Sequence, residues 1–174
     1  MEKDIYIVVH GEVQSLKMDP ILSQNGIMNL EAMPKTLLPE VPSNVISGIG
    51  TRYGETAELL DLDITAYNPL CGTIFYLESI SPDSIYSLEY EGKKLMVPRT
   101  EAFLQSLPNE TVLIADKIFL LGILEIKPEN IKDGNVFKIT LSSLSSALFG
   151  VENTQYDISN VELIFSPITT TAPW

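Results

Sequence analysis

The chain has 174 residues, and 11 basic against 23 acidic residues give it a net charge of −12 at pH 7. This charge excludes general nucleic-acid binding, which depends on Lys and Arg neutralising phosphates, and it disfavours attraction to an anionic membrane surface. A hydrophobic share of 45% is enough for the core of one domain, residues 1–174, without a stabilising metal or disulfide. The single cysteine, Cys71, fits a reducing compartment.

The chain start does not resemble a signal peptide, because its first residues are not basic and the apolar run from Ile5 to Val9 is short. No apolar run reaches the roughly 18 residues that a membrane-spanning helix requires. We therefore expect a cytoplasmic protein that binds neither membrane nor nucleic acid. Nothing in the composition calls for a cofactor, and the oligomeric state is left open.

Strands and helices alternate in the first third of the chain. Ile5 to Val9 is a continuous run of β-branched and aromatic residues, which is typical of a strand buried on both faces. A helix is predicted from an N-cap at Ser23 and is expected to stop or kink at Pro34. Residues 44–46 predict a short strand, and residues 51–60 predict a second helix.

Residues 61–97 are the least regular part, and we expect them to form a variable insert. This insert contains a candidate edge strand at 62–64 and a candidate hairpin around Glu91. The remaining predicted elements are a helix from Pro98 to Leu107, a buried strand at 111–115, an apolar helix at 118–126, strands at 135–141 and 156–165, and a loose tail at 166–174.

This alternation predicts an α/β fold with three layers, in which a mostly parallel central sheet carries helices on both faces. In such sheets, ligands lie beyond the carboxyl ends of the strands. The three clearest strands are followed by His10-Gly11-Glu12, by Ser47 to Arg52, and by Asp116-Lys117. We expect these three segments to meet at one edge of the sheet.

His10 is the only histidine in the chain, which argues against a zinc site of the usual kind. A neutral imidazole can attack phosphorus to form a phosphohistidine, if cationic donors hold the charge on the transferring oxygens. Arg52 is the obvious donor, since it lies at a predicted helix start where backbone N–H groups also favour an anion. The simpler interpretation, that His10 packs in the core and Arg52 is a surface charge, stays open.

These segments resemble, in order, the histidine phosphatase superfamily of phosphoglycerate-mutase-like proteins. Residues 5–12 are similar to the opening strand and Arg-His-Gly-Glu motif of that family. Residues 19–26 are similar to its next signature, an Asp, then Leu-Thr, then a Gly that opens the first helix. Residues 47–57 are similar to its Ser-Ser-Pro-x-x-Arg-Ala-x-Gln-Thr-Ala motif, and residues 111–117 take the place of the strand that ends in its second histidine.

The resemblance implies roles for individual residues and a phosphoglycerate-mutase-like fold. His10 matches the phosphorylated histidine, and Arg52 matches one of two phosphate-binding arginines. Gly11 joins the phosphate-binding candidates. The general acid has no clear match, and Glu12 is a weak candidate for it.

Other core positions of the family pattern are not kept. Val9 replaces the second arginine, Leu16 replaces a common asparagine, and Lys117 replaces the second histidine, or Asp116 does if the alignment slips by one. We therefore expect a catalytically impaired member with a residual pocket for phosphate or a small phosphorylated molecule. The alternatives are an active phosphomonoesterase or phosphomutase acting through phosphohistidine, and a non-catalytic interaction or assembly protein.

Several weaker patterns have simpler explanations. Asp61 and Asp63 are further acid candidates or a possible metal pair, although such residues in an acidic protein usually face solvent. Cys71 is most simply a packing residue. The methionines near the first predicted helix, Met18, Met28 and Met33, are expected to fill the core. An active enzyme would need the charge of Lys117, with help from Lys93, Lys94 or Arg99 in the insert.

Overall fold

A computed structural model gives the fold, and it describes residues 1–15, 18–74, 102–121, 130–148 and 151–168. The strands are β1 (Glu2–Val9), β2 (Asn44–Ser47), β3 (Ala66–Tyr67), β4 (Thr111–Ala115), β5 (Val136–Leu148) and β6 (Val151–Phe165). The helices are α1 (Gln24–Glu31), α2 (Thr51–Leu59), α3 (residues 102–106) and α4 (Lys117–Leu121), with a 3₁₀ turn at Lys35–Leu37. The predicted hairpin around Glu91 and the predicted helix start at Pro98 lie outside the described residues.

One six-stranded sheet has the order β3-β2-β4-β1-β5-β6. The first four strands are parallel, and β5 and β6 run antiparallel to their neighbours. In the register of the parallel part, Val9 lies opposite Ala115, and Ser47 lies opposite Ile114. The carboxyl ends of β1, β4 and β2 therefore reach the same edge of the sheet, as the sequence predicts. Among the described helices, none is long and apolar enough to cross a bilayer.

Alternate residues of the central strands bury two separate cores. One face packs Ile7 and Leu113 with Leu104 of α3 and Phe119 of α4. The other face packs strand residues with side chains from α1 and α2; the members include Val8, Val45, Val112, Ile114, Leu30, Tyr53 and Ala57. Full burial of each large apolar side chain contributes about 1.5–3 kcal/mol. The predicted three-layer α/β fold is confirmed.

Helix α1 begins where the sequence predicts. The N-cap is Ser23, whose hydroxyl accepts a hydrogen bond from the Gly26 N–H and donates one to Glu12 Oε1 at 2.9 Å. Gly26 has to be glycine, because a Cβ there would lie 2.4 Å from the carbonyl oxygen of Glu12. The helix ends at Glu31, shortly before Pro34, so it begins after the predicted cap and ends before the predicted proline.

Two details of the prediction are wrong. The edge strand is β3 at Ala66–Tyr67 rather than 62–64. Residues 62–64 belong to the connection that follows α2, and Thr65 is the first residue to form hydrogen bonds with Val45 of β2. Met18 and Met28 are 65% and 59% exposed, so only Met33 fills the core. Met28 lies two residues from Leu30, which places it on the opposite side of α1 from the buried stripe.

The Ser23 cap provides a test of the fold. We expect Ser23→Ala to lower the free energy of unfolding by about 1 kcal/mol, because the Gly26 N–H loses its acceptor. Urea denaturation followed by circular dichroism measures this. Ser23→Thr keeps the hydroxyl and should retain most of the stability; equal losses in both variants would contradict the capping role.

Candidate functional site

The three predicted segments meet at the carboxyl edge of the sheet. The backbone N–H of His10 donates to the carbonyl of Ala115 at the end of β4, at 3.0 Å. The backbone N–H of Gly48, just after β2, donates to the carbonyl of Ile114 at 2.9 Å. Backbone pairing therefore continues past the last residues of these strands and fixes the loops that follow them.

His10 is fully buried, with 0% of its surface exposed. Its Nδ1 lies 2.8 Å from the carbonyl oxygen of Gly11. Because a carbonyl oxygen only accepts, Nδ1 carries the proton, and in the neutral ring Nε2 then has the lone pair. The imidazole also meets the ring of Tyr53 edge-on, with centroids 5.5 Å apart.

Helix α2 is tied to the loop after β1 by a short hydrogen-bond chain. The backbone N–H of Gly11 donates to Thr56 Oγ1 at 3.1 Å, and that hydroxyl donates to the backbone carbonyl of Arg52 at 2.8 Å. This chain positions Arg52 relative to His10. It also gives the Gly11 N–H a partner within the protein.

A carboxylate from a distant loop caps the N-terminus of α2. The N-cap residue, Gly50, has no side chain to offer, and Asp19 takes its place. Asp19 Oδ1 accepts from the Thr51 N–H at 2.7 Å, and Oδ2 accepts from the Thr51 hydroxyl at 2.8 Å. These hydrogen bonds, assisted by the charge of Arg52, lower the pKa of Asp19. An anionic group of the protein therefore already lies at the helix start.

Arg52 is only 1% exposed, although it is a charged residue in the first turn of α2. Its Nη2 donates to the hydroxyl of Tyr53 at 2.6 Å, and its guanidinium carbon lies 4.3 Å from the centroid of the Tyr53 ring. Tyr53 is itself fully buried. This phenol therefore contacts both residues on which the predicted chemistry depends.

Three glycines surround the Tyr53 ring. A Cβ on Gly48 would lie 2.9 Å from the ring, and one on Gly50 would lie 3.3 Å from it. A Cβ on Gly72 would lie 1.9 Å from the Tyr53 hydroxyl. The phenol therefore leaves no room for a side chain at Gly48 or Gly72 and little room at Gly50, and we call these three residues the glycine cradle.

Asp116 and Lys117 follow the end of β4, and the structure decides between these two candidates for the second-histidine position. Asp116 is buried, caps α4 by accepting from the Phe119 N–H at 3.0 Å, and has its Oδ2 3.0 Å from the Cβ position of Gly72. Lys117 instead forms an ion pair with Asp133 at 3.1 Å. Of the two candidates for the second-histidine position, Asp116 is the one beside the cradle.

Other candidates lie away from the cluster or outside the described residues. Glu12 is exposed and accepts hydrogen bonds from Ser23 and Asn25, so its contacts support α1. Val9 is buried in the core on the side of α3 and α4. Four other residues considered for the site from the sequence lie outside the described residues: Leu16, Lys93, Lys94 and Arg99.

The weaker patterns also have plain outcomes. Cys71 is buried, and burial raises the pKa of its thiol to about 12, with a smaller contribution from the nearby charge of Asp116. A thiol of this kind is unreactive at neutral pH. Asp61 pairs with Lys35 at the exposed surface, and Asp63 is exposed.

Solved structures of similar shape come from several organisms. A protein from Thermus thermophilus aligns with TM-score 0.58 and 19% identity, over 78% of this chain and 92% of that chain. A mycobacterial glucosyl-3-phosphoglycerate phosphatase aligns with TM-score 0.52 and 12% identity, over 91% and 98%. A phosphoserine phosphatase from Entamoeba histolytica, solved with 3-phosphoglyceric acid, aligns with TM-score 0.53 and 14% identity, over 88% and 96%. No protein-family model and no curated protein matches the sequence.

The chain shares the fold of these solved structures, two of which are named as phosphatases. The resemblance found on the sequence motifs is thus confirmed at the level of fold. Identities of 12–19% carry no residue roles with them, so the roles of His10 and Arg52 in this histidine-phosphatase fold stay predictions.

The sequence reasoning missed Tyr53, Asp19 and Thr56 as parts of the site. One signal was present: the family motif has alanine where this chain has Tyr53, and serine where it has Gly48. A larger side chain at one position together with the loss of a side chain at another is the pattern expected when the two positions pack against each other.

The glycine cradle provides a second test. We expect Gly72→Ala to destabilise the fold by about 2–3 kcal/mol, because a Cβ would overlap the Tyr53 hydroxyl and the backbone φ is +145°. Thermal unfolding measures the effect. The matched control is Gly54→Ala in α2, where a Cβ has no neighbour within 4 Å and should stabilise by about 0.5–1 kcal/mol. A neutral Gly72→Ala variant would show that the cradle is not tightly filled.

The Asp19 cap predicts a pH dependence. Because folding lowers the pKa of Asp19 below its ordinary value of 3.8, its charged form stabilises the protein above that pH. This stabilisation disappears as the pH falls through the lowered folded value. Asp19→Asn should therefore be less stable than wild type at pH 7, and the gap should close in acid. The exposed Asp157→Asn variant controls for charge loss, and a gap that persists in acid contradicts the capping role.

Proposed function

We propose that this chain is a catalytically impaired protein of the histidine-phosphatase fold, with a residual pocket for a phosphoanion around His10 and Arg52. The observation that carries the proposal is the burial of both residues, at 0% and 1% exposure. A nucleophile must reach its substrate, and a guanidinium must reach the transferring oxygens. Both requirements conflict with side chains enclosed by protein.

The groups that would assist phosphoryl transfer are weak or already engaged. Val9 offers no donor at the position of the second arginine, and loss of one donor to transition-state charge commonly costs about 10²–10³ in rate. The Gly11 N–H donates to Thr56, and Lys117 pairs with Asp133. These contacts support a site in which polar groups bond to other parts of the protein instead of to a substrate.

The ligand class follows from the chemistry of the retained pair. A guanidinium and an imidazole beside a helix N-terminus favour a compact anion with several oxygens. Two of the neighbouring folds bear the names of phosphatases, which supports inorganic phosphate or a small phosphorylated molecule as the ligand. The single domain over 1–174, the cytoplasmic location and the avoidance of nucleic acid stay predictions.

One observation favours the second candidate, an active phosphomonoesterase. The hydrogen bond from His10 Nδ1 to the Gly11 carbonyl gives the ring the tautomer whose Nε2 lone pair suits attack on phosphorus. This bond alone does not expose the ring. The first proposal therefore accounts for more of the site than the second.

Hydrolysis of an aryl phosphate separates the two functions. The impaired protein should hydrolyse 4-nitrophenyl phosphate at the same near-background rate as His10→Ala, because His10 is enclosed. Ser159→Ala, on the exposed part of β6, serves as a preparation control. Wild-type turnover well above that of His10→Ala, and equal to that of Ser159→Ala, overturns the proposal and favours the phosphomonoesterase.

A further inference from the structure

We propose that Tyr53 is an internal blocking residue: its phenol occupies the space in which an anion would meet Arg52, and binding requires its removal. The inference rests on the function proposed above, because it concerns the same site. It adds the residue that decides whether the site is open or closed. The structure carries it in three steps.

The first step is the position of the phenol. Tyr53 meets the His10 ring edge-on at 5.5 Å and receives a 2.6 Å hydrogen bond from Arg52 Nη2. An oxygen in this position, bonded to a guanidinium and beside an imidazole, is where a phosphoryl oxygen would have to lie. The Tyr53 hydroxyl thus provides the acceptor that a ligand oxygen would otherwise provide.

The second step is the fit of the phenol to its surroundings. The glycine cradle leaves no room for a Cβ at Gly48 or Gly72 while Tyr53 is present. A Cβ at Gly48 would overlap the ring, and one at Gly72 would overlap the hydroxyl, so the phenol is tightly enclosed on these sides. The closed arrangement is therefore specified by several residues together and is the resting state of this chain.

The third step is the relative strength of the two acceptors. The guanidinium is charged in both hydrogen bonds, but a phosphate also carries negative charge and can accept two parallel hydrogen bonds from it, which the single Tyr53 hydroxyl cannot. Arg52 would therefore bind phosphate in preference to the phenol if the space were free. What prevents this is the volume of the ring, which is attached to the next residue of the same helix.

The test removes the ring and measures phosphate binding. We expect Tyr53→Ala to bind inorganic phosphate at least about tenfold more tightly than wild type by isothermal titration calorimetry. Phosphate should also raise its melting temperature relative to chloride at equal ionic strength, because a ligand that binds only the folded state stabilises it. Wild type should show both effects more weakly, because phosphate can enter only when the Tyr53 ring moves.

Matched variants assign the effect to volume and to Arg52. Tyr53→Phe keeps the ring and removes the hydroxyl, so it should bind phosphate no more tightly than wild type. Tyr53→Ala combined with Arg52→Gln should lose the binding gained by Tyr53→Ala. If Tyr53→Ala does not fold, Tyr53→Leu keeps a buried apolar side chain and removes only the part of the ring nearest Arg52, with the same expectation.

The outcomes are distinct. Phosphate binding by Tyr53→Ala or Tyr53→Leu that is at least about tenfold tighter than that of wild type and Tyr53→Phe supports the proposal. A folded Tyr53→Ala or Tyr53→Leu without phosphate binding overturns it, as does wild-type binding of equal strength. The proposed function fails on a different measurement, His10-dependent hydrolysis by wild type, so the two failures are distinguishable.

Discussion

The buried guanidinium of Arg52 is the constraint on which the rest of this site depends. An ionised group removed from water is costly unless polar partners surround it. Here Arg52 donates to the Tyr53 hydroxyl, lies against its ring, and has the charge of Asp19 nearby. The glycine cradle then follows, because a phenol at this position needs neighbours without side chains. In the ligand-free protein, the charge of this arginine is therefore met by groups of the protein itself.

The central strands were predictable because their side chains obey simple periodicities, whereas their order in the sheet was not predicted. Ile5 to Val9 and residues 111–115 are apolar on both faces, and Ser23 is an ordinary helix cap. The meeting of His10 and Arg52 at one sheet edge followed from parallel topology. The edge strand was misplaced because the turn out of α2 depends on tertiary contacts, which sequence periodicity does not contain.

The contents of the site were less predictable, for a physical reason. A buried tyrosine on the apolar face of a helix has the same pattern whether it packs in the core or fills a pocket. Only the three-dimensional contacts of Tyr53 with His10 and Arg52 distinguish these cases. The choice between Asp116 and Lys117 also needed coordinates, because adjacent residues at a strand end point in different directions.

The chain shares its fold with solved phosphatases, and the contact between His10 and Tyr53 is the most direct signature of the internal blocking proposed for its site. Because His10 is the only histidine, its ring protons give a single, unambiguous set of signals in a proton NMR spectrum. The account predicts nuclear Overhauser effects between the rings of His10 and Tyr53 in the ligand-free protein, identified by their loss in Tyr53→Leu. A His10 ring without nuclear Overhauser effects to the Tyr53 ring in the ligand-free protein would contradict it.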